Sequence, residues 1–114
     1  MSIRRMETTP ILHRIVEHNG VVYLAGFTAD DTSTSPKAQT KNILSKIDKH
    51  LAMAGTDKSK LLTATIYVSD MSIKPQMNEG WNEWVEPENF PTRACVATGL
   101  DGGADVEIVV SAAK

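Results

Sequence analysis

Phe90-Pro91-Thr92-Arg93-Ala94-Cys95-Val96 and, after a Gly-rich stretch, Val106-Glu107-Ile108-Val109-Val110-Ser111-Ala112 place one arginine, the only cysteine and one carboxylate on two short apolar segments. Such segments bounded by turn residues read as strands, and two in succession read as a β-hairpin. A guanidinium is always protonated and costly to bury alone, so Arg93 implies an anionic partner, from the protein or from a ligand. Two partners compete: Glu107, in a structural ion pair, or a bound carboxylate held by the two parallel donors of the guanidinium fork. Glu107, in mid-strand among apolar neighbours, reads either as that ion-pair partner or as a general base. Cys95 reads as a small buried hydrophobe with its backbone N–H available as a donor.

Outward from this pair, the pattern predicts a mixed α+β domain. Arg14 to His18 and Val21 to Ala25 flank Asn19-Gly20, the dipeptide of a type I′ turn, and predict a hairpin that Gly26 ends; Ile3 to Thr8 adds an edge strand. Ser35-Pro36 reads as an N-cap followed by proline in the first turn. Ile43, Leu44, Ile47, Leu51 and Ala54 then form one helical stripe, closed by Gly55. Leu62, Ala64, Ile66 and Val68 alternate with Thr63, Thr65 and Tyr67 as a central strand with one buried face. Ser72 is the expected cap of a second helix, with Ile73, Met77, Trp81, Trp84 and Val85 on one face and its end before Pro87. Asn78, on that helix, is expected to hydrogen-bond a neighbouring loop. The order β-β-β-α-β-α-β-β makes each helix a crossover and puts both on one face of a mixed sheet.

Helices cover one side only. The last strand is apolar along Val106, Ile108, Val110 and Ala112, but its other face, Glu107, Val109 and Ser111, expected to adjoin Cys95 and Ala97, is small and half apolar as well. That second face predicts a homo-oligomer. With Val96 placed on the helix-covered face, Arg93, Cys95 and Glu107 are expected together on the opposite one, toward a neighbouring subunit.

The 114 residues (12.4 kDa) suit a single domain over residues 1–114. A net charge of -2 and no basic cluster disfavour a nucleic-acid partner. One cysteine excludes an internal disulfide and fits a reducing cytoplasm; neither a secretory leader nor a membrane-spanning run is present, so no membrane partner is expected. His13, His18 and His50 lack metal-ligand spacing and receive no chemical role.

Taken in order, Asn19-Gly20 with a strand ending at Gly26, the Ala54-Gly55 helix end, Thr65-Ile66-Tyr67-Val68-Ser69-Asp70, Asn78 with an aromatic three residues later, Pro91-Thr92-Arg93-Ala94-Cys95-Val96 and Val106-Glu107-Ile108 resemble the RidA family. This family is also known as YjgF or, in older naming, the L-PSP endoribonucleases. The resemblance runs through nearly the whole chain. It implies a chorismate-mutase-like fold, assembled as a homotrimer around a central barrel of sheets, with a cleft at each subunit interface. It also implies a cofactor-free enamine/imine deaminase that hydrolyses small reactive imino acids of the 2-aminoacrylate type to 2-keto acids and ammonia. By position, Arg93 matches the family arginine that holds the substrate carboxylate, Glu107 the glutamate that orients or activates water, Cys95 the cysteine whose backbone N–H contacts ligand, and Gly26 the glycine lining the cleft. The family's Gly-Pro-Tyr element is replaced by Ile11-Leu12-His13-Arg14, and the segment after the cleft glycine by Phe27-Thr28-Ala29, which gives a different pocket wall. The alternative function is a non-catalytic trimeric sensor or binding module for small carboxylate metabolites. The ribonuclease suggested by the older name sits poorly with the acidic charge.

Overall fold

The computed structural model describes residues 2–114. Seven strands form one sheet: β1 (Arg4–Thr8), β2 (His13–His18), β3 (Val21–Leu24), β4 (Phe27–Thr28), β5 (Leu61–Val68), β6 (Thr92–Ala97) and β7 (Val106–Ala113), with helices α1 (Pro36–Met53) and α2 (Lys74–Asn82) between them. The spatial order is β1-β2-β3-β7-β5-β6, and the two-residue β4 also pairs with β7. All pairings are antiparallel except β5 with β6, the parallel pair that α2 connects.

Local chemistry accounts for most boundaries. Asn19 and Gly20 take φ of 53° and 76°, the left-handed pair that a tight turn between β2 and β3 requires. Ser35 Oγ accepts a hydrogen bond from the Ala38 N–H at 3.1 Å, capping α1 ahead of Pro36. Gly55, at φ 83°, stops that helix. The expected cap at Ser72 is displaced: Asp70 accepts from the Ser72 N–H and starts a 3-10 turn over Met71–Ile73, which runs directly into α2. An ionised carboxylate is a stronger acceptor than a hydroxyl, and Asp70 is held below the usual carboxylate range by its bonds to the Ser72 side chain and backbone.

Two strand expectations change. A bulge between Leu61 and Thr63 turns Leu61 into the core and leaves Leu62 exposed, so the buried set of β5 is Leu61, Ala64, Ile66 and Val68. The expected terminal hairpin does not form: β5 lies between β6 and β7. The eight-residue link 98–105 crosses the end of β5, where the Thr98 N–H donates to the Val68 carbonyl (2.9 Å) and the Ser69 N–H to the Asp105 carbonyl (3.0 Å). A link of this length spans two strand spacings, so no tight turn is needed.

Both helices pack on one face of the sheet over a single core that includes Ile43, Leu44, Ile47, Leu51, Met77 and Trp81. No helix among the described residues is long and apolar enough to cross a membrane. The helices approach closely at Gly80, where a Cβ would stand 2.9 Å from Thr40 Cγ2 and 3.2 Å from the Lys37 carbonyl. Gly80→Ala therefore destabilises the fold by about 1–3 kcal/mol through overpacking. In a Thr40→Ser background, which removes Cγ2, the penalty shrinks; urea denaturation of the four variants measures the coupling.

Candidate functional site

Strand register assigns the site residues to faces. Ile66 is opposite Ile108 on one side and Cys95 on the other, and Ala64 is opposite Val110 and Arg93. Tyr67 is likewise flanked by Glu107 and Val96. Residues directly across a ladder project to the same face. Arg93 and Cys95 therefore belong to the helix-covered side, whereas Glu107 shares the open side with Tyr67, Val96 and Val109. The expected grouping of Arg93, Cys95 and Glu107 on one face is overturned, because the parallel β5–β6 register replaces the hairpin register it assumed. Ala94 and Val96, not Cys95 and Ala97, occupy the open face.

The arginine half of the site lies at the edge of the sheet. Arg93, on the edge strand β6, is exposed, and its guanidinium carbon sits 5.7 Å from the centre of the buried Trp81 ring. Asn78, Trp81, Asn82, Phe90, Pro91 and Arg93 line a depression of about 360 Å³. Arg93 enters none of the ion pairs among the described residues, which removes its structural pairing with Glu107 within one chain. Asn78 does not reach a loop as expected: its Oδ1 is buried without a hydrogen-bond partner. Arg93 and Asn78 thus line the same depression, with the half-buried Cys95 packed against the core beneath the strand.

The carboxylate half occupies the open face. Gly26 sits against Glu107 so closely that a Cβ there would fall on Glu107 Oε2, 3.1 Å from its Cδ and 3.2 Å from Val109 Cγ2. Only glycine leaves the carboxylate this position. A second depression beside Glu107 is lined by Tyr67, Thr98, Gly99, Leu100, Asp101 and Val109. Phe27, expected to line the pocket, points the other way: it is 5% exposed and its ring packs at 4.6 Å on that of His50. What Phe27 offers the open face is backbone.

A residue that the sequence pattern did not single out holds this half together. Gln39, 0% exposed in the first turn of α1, accepts from the Asp105 N–H (3.0 Å) and donates to Asp105 Oδ2 (3.0 Å) and to the Thr34 carbonyl (2.9 Å). The link 98–105 that walls the Glu107 depression is pinned by these bonds to α1. The available signal was a glutamine at a buried position of an amphipathic helix, where a polar side chain needs partners.

The family model described as Endoribonuclease L-PSP matches residues 3–114. A RutC family protein of Haemophilus ducreyi is 41% identical over 112 residues, covering 97% of this chain and 96% of that protein. The chain belongs to the RidA/YjgF family. The RutC family protein YoaB of Escherichia coli is 33% identical over 100 residues, covering 88% of this chain and 87% of that protein. Among solved structures, the RidA/YjgF fold recurs in NMB1025, a YjgF family member from Neisseria meningitidis, at a TM-score of 0.96 and 37% identity over 100% of this chain and 96% of that one. Yeast Mmf1 shares the fold at a TM-score of 0.93 with 16% identity. The RidA/YjgF architecture, a mixed sheet with two helices on one face, is thus the frame on which the two half-sites are set.

Gln39→Leu leaves the Asp105 and Thr34 groups without their partner and lowers stability by about 1–3 kcal/mol. Chemical denaturation measures the loss, and amide exchange localises it to the link 98–105.

Proposed function

We propose that the protein is an enamine/imine deaminase, active as a homotrimer, that hydrolyses small reactive imino acids of the 2-aminoacrylate type to 2-keto acids and ammonia. The observation that carries this reading is the division of the site: an unpaired guanidinium on one face and edge, and an accessible carboxylate on the other. Neither half is a hydrolytic site alone. A neighbouring subunit that lays its β6 edge against the open face joins them in one cleft.

The open face supports such an assembly. Tyr23 is 51% exposed, and with Leu62, Thr63, Thr65, Val109 and Ser111 it lines a shallow depression. Thr63 and Ser111 hydroxyls bond each other at 2.6 Å, so their polarity is turned inward and this central patch of the face carries no charge. A surface of this kind is characteristic of a covered interface.

In the assembled cleft Arg93 binds the substrate carboxylate through both donors, which fixes the imine carbon relative to Glu107. The enamine first tautomerises to the imine. Glu107 then accepts a proton from water as the hydroxyl oxygen bonds to the imine carbon, and passes that proton to the imine nitrogen. The hydroxyl proton of the resulting amino alcohol then moves through Glu107 to the amino nitrogen, which leaves as ammonia as the carbonyl forms. Gly26 leaves Glu107 room at the surface, and the backbone N–H of Cys95 is the further donor assigned to the ligand. No covalent intermediate is needed. Asn78 lines the same depression as Arg93.

Arg93→Ala lowers keto-acid formation from 2-aminoacrylate, generated in situ by a dehydratase, by about 100-fold or more while the trimer persists in light scattering. Wild-type protein that binds 2-keto acids in calorimetry but does not accelerate imine hydrolysis supports the sensor reading instead.

A further inference from the structure

Gly26, which sits against Glu107, also borders a third depression, lined with it by Thr9, Pro10, Ile11, Leu12 and Arg14. It is contiguous with the carboxylate half through the backbone, since the Ala25 N–H donates to the Arg14 carbonyl at 3.0 Å and Gly26 touches both sides. Its walls are apolar, and Ile11, at 88% exposure, stands fully in solvent. The one charged group in it is Arg14. Strand register puts Arg14 on the open face: Val16, two residues along β2, is opposite Tyr23, which is opposite Ser111.

Arg14 has no carboxylate partner among the described residues. The nearby acid of the same strand, Glu17, is engaged by Arg4 and Lys114 at 3.2 Å. A second arginine, Arg5, is opposite Val16 and adds positive charge to the same face without an ion-pair partner. Apolar walls around an uncompensated guanidinium make a subsite for an anion joined to a short hydrocarbon chain. The subsite adjoins the place where the reacting carbon is expected beside Glu107.

We infer that Arg14 is a specificity-determining residue that receives a second acidic group, so that the preferred substrates are 2-imino dicarboxylates. This rests on the deaminase reading for the location of the first carboxylate, at Arg93. Arg14 takes no part in bond making; it selects which imino acid is held with its C2 carbon beside Glu107. A monocarboxylate leaves Arg14 solvated and gains nothing from it, whereas a dicarboxylate spans Gly26 between two guanidinium groups.

The test compares calorimetric dissociation constants of wild type, Arg14→Gln and Arg14→Lys for 2-oxobutyrate, oxaloacetate and 2-oxoglutarate, alongside turnover of the corresponding imines made by amino-acid oxidases. Wild type is expected to bind at least one dicarboxylate about 10-fold or more tighter than 2-oxobutyrate, a ratio that falls toward one in Arg14→Gln and is partly restored in Arg14→Lys. A wild-type ratio near one, a ratio unchanged by Arg14→Gln, or binding of none of the three acids overturns the inference. Arg14-dependent dicarboxylate binding without turnover would keep the subsite and remove the deaminase. Hydrolysis of monocarboxylate imines without discrimination through Arg14 would keep the deaminase and remove the subsite.

Discussion

The register of β5 between β6 and β7 is the constraint on which the molecule depends. Ile66 has Ile108 on one flank and Cys95 on the other, and that single alignment assigns every side chain of three strands to a face. A slip by one residue would carry Val106, Ile108 and Val110 out of the core. The penalty for exposing three buried aliphatic side chains, each worth about 1.5–3 kcal/mol, makes the register effectively unique. Through it the core dictates the chemistry: because Ile66 and Ile108 must face the helices, Cys95 and Arg93 follow them, and Glu107 is turned outward with Tyr67.

Under the proposed reading, this inheritance is the reason a site built from so few residues would take more than one copy of the chain. Backbone pairing alone keeps Arg93 and Glu107 on opposite faces of one sheet, so no rotamer change within that sheet makes them a structural pair. In the proposed assembly the unpaired guanidinium at the edge strand supplies the anion clamp and the open face supplies the proton acceptor. Gly26 is the hinge of that complementarity. It leaves the Glu107 carboxylate free and also borders the Arg14 depression, so one glycine joins the proposed chemistry to the proposed selectivity.

Much of the fold could be read from local chemistry, and the failures that moved site residues share one cause. Asn19-Gly20, Ser35-Pro36 and Gly55 mark boundaries that backbone sterics enforce wherever the chain lies, and the stripe Ile43, Leu44, Ile47, Leu51 has helical spacing that no strand satisfies. These expectations matched the structure. Strand neighbours depend on long-range pairing, so two consecutive strands around a Gly-rich stretch looked like a hairpin although β5 separates them. The wrong neighbour gave the wrong face to Arg93 and Cys95. Phe27 was read as pocket wall because its place in the sequence follows Gly26, but β4 pairs it with Ile108 and so turns it inward. Gln39 became visible only when distant loops were brought together, since a polar residue on a helix stripe declares a need for partners and does not identify them; Asn78 stood out in the sequence, but the loop partner expected for it does not form.

The proposed site requires Arg93 from one subunit and Glu107 from another. Co-refolding equal amounts of Arg93→Ala and Glu107→Gln chains and measuring 2-aminoacrylate hydrolysis tests it most directly. Each variant alone is predicted to be inactive, and random mixed trimers are predicted to recover about a quarter of the wild-type sites, because only clefts with the Glu107→Gln chain on the Arg93 side and the Arg93→Ala chain on the Glu107 side regain both groups. Mixed trimers, verified by mass, that remain as inactive as either parent would contradict the account.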